Sequence, residues 1–381
     1  MRPFRIQIPD AELEELGRRL DAARWPVAEN EPGWASGVPR GWLERLSETW
    51  RTGYDWRARE ARLNSHPQVL VEAAGLDVHA VVLGQSEVER PAIVLTHGWP
   101  GTFAEYLEVA RRLADPASYG GDAGDAMTVV VPSLPGYGFS GIPAETGWGV
   151  ERVADAWVEL MAALGFEQFF AAGSDWGTSV SAELGRRHPQ RILGLTLIPP
   201  LAPPDPATAS HSTAAETRAL ERLQTRGAEG SAYSAVHATR PQTIAYALAD
   251  SPLGLLAWIG EKYAQWAGVP GVADVDILDA ASIYWFTRTA GTSARLYRES
   301  IDDVSRYFTD ANPVPITVPT GAIMFPDEVP WVSRRWAERR FPGLRVWCEP
   351  AAGGHFGALE QPAAVAAGIV ATVRACRQTG T

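Results

Sequence analysis

Gly173-Ser174-Asp175-Trp176-Gly177 is the stretch whose reading decides the fold. An apolar run, Phe169-Phe170-Ala171-Ala172, precedes it, and a helical pattern from Thr178 to His188 follows. Strand, tight Gly-flanked turn and helix are the context of a nucleophile elbow, whose middle residue projects from the carboxyl end of a sheet. Most such turns carry Ser at the apex. Here the apex is Asp175, and Ser174 sits one place off. A Ser attacking an alkyl carbon would leave an ether, which water does not readily cleave. A carboxylate attacking the same carbon leaves an ester, which an activated water can hydrolyse while an oxyanion hole holds the tetrahedral intermediate. Asp175 therefore suits an electrophilic sp³ carbon, as in an epoxide or an alkyl halide. The bland alternative is a turn whose Asp only caps the helix, so the rest of the chain has to decide.

The chain has 381 residues, 46% hydrophobic and 21% charged, ordinary for a soluble globular protein with a large core. That length fits one α/β domain with an inserted subdomain, or two domains. A net charge of −11 argues against nucleic acid or an anionic membrane as partner. Lys262 is the only lysine, and with the many Ala, Gly and Pro this reads as codon usage of a GC-rich genome. Cys348 and Cys376 lack metal-ligand spacing and read as free thiols of a reducing cytoplasm, the expected location. No run of about 18 apolar residues occurs, so no membrane span is expected. The start, MRPFRIQIPD, lacks the apolar core of a signal peptide.

Residues 1–70 read as a Trp-rich helical arm outside the sheet. Asp10 is placed to cap a helix carrying Leu13, Leu16 and Leu20, and Trp42, Leu46 and Trp50 form a second stripe. The tryptophans read as packing, with the arm able to clasp the main domain. Val78, Ala80 and Val82 alternate with Asp77, His79 and Val81, which predicts a partly exposed antiparallel strand. Buried strands are expected at 92–96, 127–132, 169–172, 192–198, 316–324 and 344–348. Between them, Thr102-x-x-Glu105 reads as a capping box opening a helix through Leu113. Val153, Trp157, Leu160 and Leu164 mark another helix, and Val365, Ile369, Val373 and Cys376 the last. This alternation predicts an α/β fold, a mainly parallel sheet with helices on both faces. Residues 201–308 break the rhythm, with helices expected at 214–226, 241–249, 252–266, 276–288 and 292–300. A helical insertion between late strands is most simply a lid over the strands' carboxyl ends, where ligands bind in open α/β sheets. The expected organisation is an arm at 1–70, a core at 71–200 and 309–381, and a lid at 201–308.

After the insertion come Phe325-Pro326-Asp327-Glu328-Val329, at the end of one strand, and Gly353-Gly354-His355-Phe356, after the last. Nucleophile, acid, histidine is the chain order of α/β-hydrolases. His355 is the candidate base, oriented by a carboxylate. Asp327 and Glu328 compete for that role; neighbouring side chains in extended chain point opposite ways, so only one should reach the imidazole. The backbone N–H groups of Trp99, in His97-Gly98-Trp99-Pro100-Gly101, and of Trp176 are placed to converge on one oxyanion. His97 reads as a brace for that loop. His66, His188, His211 and His237 read as surface or structural.

Taken together, these segments resemble the microsomal-type epoxide hydrolases, including the juvenile hormone epoxide hydrolases and their soluble bacterial relatives. The resemblance covers nearly the whole chain: the arm, HGWPG at 97–101, SLPGYGFS at 133–140, GSDWG at 173–177, DSPLGLLAWIGEKYAQW at 250–266, VPTGAIMFPDEV at 318–329 and GGHF at 353–356. It implies the α/β-hydrolase fold and the opening of an epoxide to a vicinal diol through an ester on Asp175, hydrolysed by water that His355 activates. It places the acid on Glu328 and the two epoxide-binding tyrosines on Tyr233 and Tyr297, although Tyr137, Tyr246, Tyr263, Tyr284 and Tyr307 compete by sequence alone. No metal or organic cofactor is implied. The implied partners are a small epoxide and water, with no nucleic acid and no membrane; a homodimer is compatible. No counterpart of the eukaryotic members' membrane anchor is expected, which weakens any transfer of their lipophilic substrates. The substrate range runs from small epoxides in detoxification to an aryl or polyketide-type epoxide in secondary metabolism, such as an antibiotic pathway. Rivals are a haloalkane dehalogenase on the same fold, a binding protein that has lost catalysis, and a serine esterase working through Ser174.

Overall fold

The computed structural model describes residues 1–84, 90–310 and 312–378. Short, largely apolar runs form a nine-stranded sheet: β1 Arg2–Phe4, β2 Gln68–Ala73, β3 Leu76–Leu83, β4 Ala92–Thr96, β5 Thr128–Pro132, β6 Phe169–Ser174, β7 Ile192–Ile198, β8 Thr320–Ile323 and β9 Leu344–Cys348. Their spatial order is β1-β2-β3-β5-β4-β6-β7-β8-β9. The first three join antiparallel, and every pairing from β5 to β9 is parallel.

The inner parallel strands β4 to β8 are apolar on both faces because helices cover both faces, whereas the edge strand β9, expected buried, is partly exposed. Side chains alternate between two cores. Val94 of β4 and Ala171 of β6 face Trp157 and Val180 of the helices Val150–Ala163 and Trp176–Arg187. Ile93, Leu95, Phe170 and Ala172 face Val365, Ile369 and Val373 of the helix Pro362–Arg377. From β4 the chain goes first to β5 on one side and then to β6 on the other. The loops after β4 and β6 therefore diverge at a switch point and open a crevice at the strands' carboxyl ends.

Several expectations need correction; Asp10, for one, is the first residue of its helix and makes no cap. The first 70 residues are not outside the sheet, because Arg2–Phe4 pairs with the start of β2 as its edge strand. The strand β3 is antiparallel, as its alternation predicts, but not half exposed. His79 is fully buried, bonded by Ser133 and Gln68 and boxed by the rings of Phe4, Phe103 and Phe139. Thr102 does cap, accepting from Ala104 N at 3.3 Å, but it opens a 3₁₀ turn, Phe103–Tyr106, before the helix Leu107–Ala114. Glu105 does not complete a capping box. Its carboxyl turns inward against Gly98 and Gly101, and burial pushes it up to about 8.

Between β7 and β8 the chain is helical: Ala214–Glu229, Ala232–Thr239, Pro241–Asp250, Pro252–Trp266, Asp274–Thr287, Ala290–Ser293 and Arg295–Thr309. The second and sixth of these add to the five expected. The arm grips this insertion: Trp50 Nε1 donates to Ser282 Oγ at 2.9 Å, Tyr54 OH to Asp279 Oδ1 at 2.7 Å, and Arg59 pairs with the same Asp279. Among the described residues no single helix is long and apolar enough to cross a membrane.

The elbow depends on a close backbone approach that only glycine permits. A Cβ on Gly177 would lie 1.9 Å from the carbonyl oxygen of Thr96. Gly177→Ala is therefore expected to push the helix off β4, destabilising the protein by about 1–3 kcal/mol and abolishing turnover. A thermal melt beside an activity assay checks both.

Candidate active site

Asp175 stands at φ 53° and ψ −123°, a backbone conformation that costs energy for a side chain with a Cβ. The helix behind it and the β6–β7 ladder hold it there. In this conformation Asp175 makes no side-chain capping hydrogen bond to the helix that follows it. The helix-capping reading fails on this point. Its Oδ1 instead accepts from Trp99 N at 2.8 Å, and the neighbouring Trp176 amide also helps to lower the carboxyl. The two amides named from sequence thus converge on one carboxylate. Gly98 lets the β4 loop come this close, since a Cβ there would fall 2.3 Å from Oδ1. His97 braces that loop: Nδ1 meets Gly98 O at 2.9 Å and Nε2 accepts from Leu134 N at 3.1 Å. Burial holds its imidazole down at about 4, so it stays neutral.

On the other side of Asp175, His355 Nε2 lies 3.4 Å from Oδ2, and Nδ1 lies 2.9 Å from Glu328 Oε1. The structure separates the two adjacent acids: Glu328 is buried and reaches the imidazole, whereas Asp327 is exposed. Burial alone would pull the imidazolium down, but the Glu328 and Asp175 carboxylates outweigh it and push His355 up to about 10. Burial would likewise raise the Asp175 carboxyl, and His355 with the two tryptophan amides instead brings it below its usual range. The resting pair is therefore carboxylate and imidazolium.

The His355 loop is fastened to the helical insertion. His355 N donates to Trp266 O at 3.0 Å. Glu360 accepts from Gly268 N, Gly354 N and Phe356 N, tying the residues on either side of His355 to the chain just after the helix Pro252–Trp266. Sequence reading missed Glu360, because its partners are backbone amides and leave no pattern of their own.

Tyr233 and Tyr297 close the site from above. Tyr233 stacks on Trp99 with ring centroids 5.2 Å apart and planes 9° apart, and Tyr297 meets the Trp176 ring edge-on at 4.7 Å. Burial, then Tyr233 and Asp175, pushes the Tyr297 phenol well above its usual range, and a hydrogen bond to Tyr233 adds to this. Both tyrosines line a cavity of about 270 Å³ together with Asp175 and His355. The competing tyrosines are otherwise engaged: Tyr137, Tyr263 and Tyr284 donate to the carbonyls of Ser293, Pro100 and Gly101, Tyr307 bonds Glu183, and Tyr246 is exposed. Ser174 is buried on β6 and accepts from Tyr106 OH at 2.9 Å, away from the imidazole. His237, read as surface or structural, is not at the surface. It is fully buried, 4.8 Å from the Trp99 ring and 4.9 Å from that of Tyr297, and accepts from Trp258 Nε1 at 3.0 Å. The helix Ala232–Thr239, which carries it, has no clear apolar stripe to reveal it in the sequence.

Comparison with known proteins identifies the family. The family model described as epoxide hydrolase N terminus matches residues 1–106, and that for the alpha/beta hydrolase fold matches residues 91–335. A Stigmatella aurantiaca protein named "Putative epoxide hydrolase" is 42% identical over 95% of this chain and 82% of its own. The structure of Aspergillus niger epoxide hydrolase superposes with a TM-score of 0.88 at 33% identity, covering 98% of this chain and 96% of that one. The crystal structure of juvenile hormone epoxide hydrolase from the silkworm Bombyx mori does so with a TM-score of 0.90 at 26% identity, covering 100% and 95%.

If the charge of Asp175 sustains the imidazolium, removing it must release the proton. In Asp175→Asn, which imitates the neutral ester, His355 is expected to titrate about one to two units lower. Histidine-ring NMR across pH reads this directly. An unchanged titration would contradict the coupling.

Proposed function

The chain belongs to the epoxide hydrolase family on the α/β-hydrolase fold, which opens epoxides to diols, and from that premise we propose that Asp175, His355, Glu328, Tyr233 and Tyr297 carry the reaction. One observation carries the assignment. The two oxygens of Asp175 have different surroundings: Oδ1 faces the Trp99 amide, while Oδ2 faces the imidazole under the two phenols.

The phenols of Tyr233 and Tyr297 hold the epoxide oxygen. Asp175 Oδ2 attacks one ring carbon, the carbon–oxygen bond breaks, and the freed oxygen takes a phenol proton. The product is a hydroxyalkyl ester whose carbonyl oxygen is Oδ1, already in the oxyanion hole. Esterification removes the negative charge beside His355. The imidazolium then gives up its proton, which restores the phenol, and becomes a base. His355, held by Glu328, takes a proton from water as the water attacks the ester carbonyl carbon. The tetrahedral oxyanion rests on the N–H groups of Trp99 and Trp176. Its collapse releases the diol with the original Oδ2, and Asp175 keeps the oxygen of water. Proton transfer to the diol alkoxide regenerates the carboxylate–imidazolium pair.

The lid assigned to 201–308 supplies Leu201, Ile301, Val304 and Phe308 to the cavity wall. This apolar wall supports an aryl- or alkyl-substituted epoxide as substrate. The paired phenols favour an oxygen leaving group over the halide of a dehalogenase.

A single turnover in ¹⁸O-water is expected to place the label in the peptide containing Asp175 and none in the diol. Label in the diol would mean direct attack by water and would overturn the covalent route. Tyr233→Phe and Tyr297→Phe are each expected to slow ring opening by about 10²-fold or more, read as the pre-steady-state rate of ester formation. Haloalkanes offered to the same enzyme are expected to release no halide.

A further inference from the structure

Lys262, the chain's only lysine, is 5% exposed. An ammonium removed from water needs compensation, and an apolar side chain of equal volume would usually serve stability as well or better. Glu261 supplies one contact, with Oε2 2.6 Å from Nζ. The ammonium also lies over aromatic rings, 4.7 Å from the centroid of Tyr233 and 5.8 Å from that of Trp266. The Glu261 side chain is 23% exposed against 6% for Lys262, so water screens the carboxylate more than the ammonium. The field of Lys262 reaches into the aromatic enclosure above the nucleophile: after burial, it is the other cause that holds His237 down at about 4.

The two phenols therefore stand in different fields. Tyr297 is enclosed by the rings of Trp99, Trp176, Tyr233 and His237, and the negative charge of Asp175 opposes its ionisation. Tyr233 has the ammonium against its face. We propose that Lys262 makes Tyr233, rather than Tyr297, the proton donor of ring opening, by stabilising the phenolate that donation leaves behind. This rests on the assignment of the two phenols to the epoxide oxygen. Tyr297 then holds the oxygen by a hydrogen bond and keeps its proton. The step balances: the Asp175 Oδ2–carbon bond forms, the carbon–oxygen bond of the ring breaks, and the alkoxide takes the Tyr233 proton. Lys262 touches none of the reacting atoms and is a positioning residue. It sits one turn before Trp266 on the same helix, whose carbonyl holds His355 N. One helix thus serves the donor through Lys262 and the base through Trp266.

Single-turnover ring opening tests this in wild type, Lys262→Met, Lys262→Arg, Tyr233→Phe, Tyr297→Phe and the double variant Lys262→Met/Tyr233→Phe. Lys262→Met is expected to slow ring opening about ten- to hundredfold, to leave ester hydrolysis unchanged, and to recover most of the rate as Lys262→Arg. In the Tyr233→Phe background the same change should do nothing further. The pH profile separates electrostatics from packing. Among the described residues the groups facing Tyr233 include Lys262 from the helix Pro252–Trp266, Tyr297 from Arg295–Thr309, His237 on its own helix, and Asp175 and His355 across the cavity; Glu261 faces Lys262. A nearby cation favours the phenolate, so its loss must raise the pH at which Tyr233 ionises. The alkaline limb of ring opening should move up in Lys262→Met and disappear in Tyr233→Phe. An unchanged rate or limb in Lys262→Met, or an equal loss in the Tyr233→Phe background, would overturn the proposal. Full ring-opening rates in both Tyr233→Phe and Tyr297→Phe would instead remove the phenol assignment beneath it.

Discussion

A carboxylate held at a strained turn between two amides and an imidazolium is the interaction on which the rest of this structure depends. Taking a negative charge out of water is costly, and each neighbour of Asp175 offsets that cost in a different way. The amides of Trp99 and Trp176 are fixed dipoles that remain in place throughout the reaction. The imidazolium of His355 is a charge that can leave. Ester formation cancels the negative charge, and the reason for His355 to stay protonated goes with it. In the proposed mechanism the same contact that stabilises the nucleophile sets the order of events: the base forms only after the ester does. Glu328 sustains the imidazole through both stages.

The geometry of the sheet makes this possible. Only at the switch point between β4 and β6 do two loops diverge far enough to leave a crevice yet stay close enough for one loop's amide to reach the other's side chain. Gly98 marks where the β4 loop meets the Asp175 side chain, and Gly177 where the helix backbone meets the end of β4. The helical insertion completes the site by contact with both ends of the chemistry. The carbonyl of Trp266 and the amide of Gly268 hold the His355 loop, while Tyr233 and Tyr297 sit over the nucleophile. The arm in turn grips the insertion through Trp50 and Tyr54, so the N-terminal tryptophans do pack, and what they pack is the cover of the site.

Much of this was legible in the sequence, for identifiable reasons. The elbow shows because close backbone approach demands glycine, and the buried strands show because two-sided burial leaves unbroken apolar runs. The order of Asp175, Glu328 and His355 follows from topology. Which of Asp327 and Glu328 bonds the imidazole came only from family resemblance, since alternation states that one must point inward but not which. The parts that escaped depend on contacts across distant segments. Lys262 reads as a product of codon usage until its ammonium is found over Tyr233. His237 reads as one more surface or structural histidine until its ring is found against that of Trp99. Glu105 fits a capping pattern by spacing, yet the 3₁₀ turn rotates it inward. The edge strand Arg2–Phe4 is three residues long and has no period to detect.

The central claim is that Asp175 becomes esterified and that His355 is needed only afterwards. Intact-mass spectrometry of His355→Gln after exposure to a panel of aryl and alkyl epoxides tests it most directly. A mass gain equal to one epoxide, mapped to the peptide containing Asp175, is the predicted result. Diol formation by the unaltered enzyme, with no adduct on Asp175 in the variant, would contradict it.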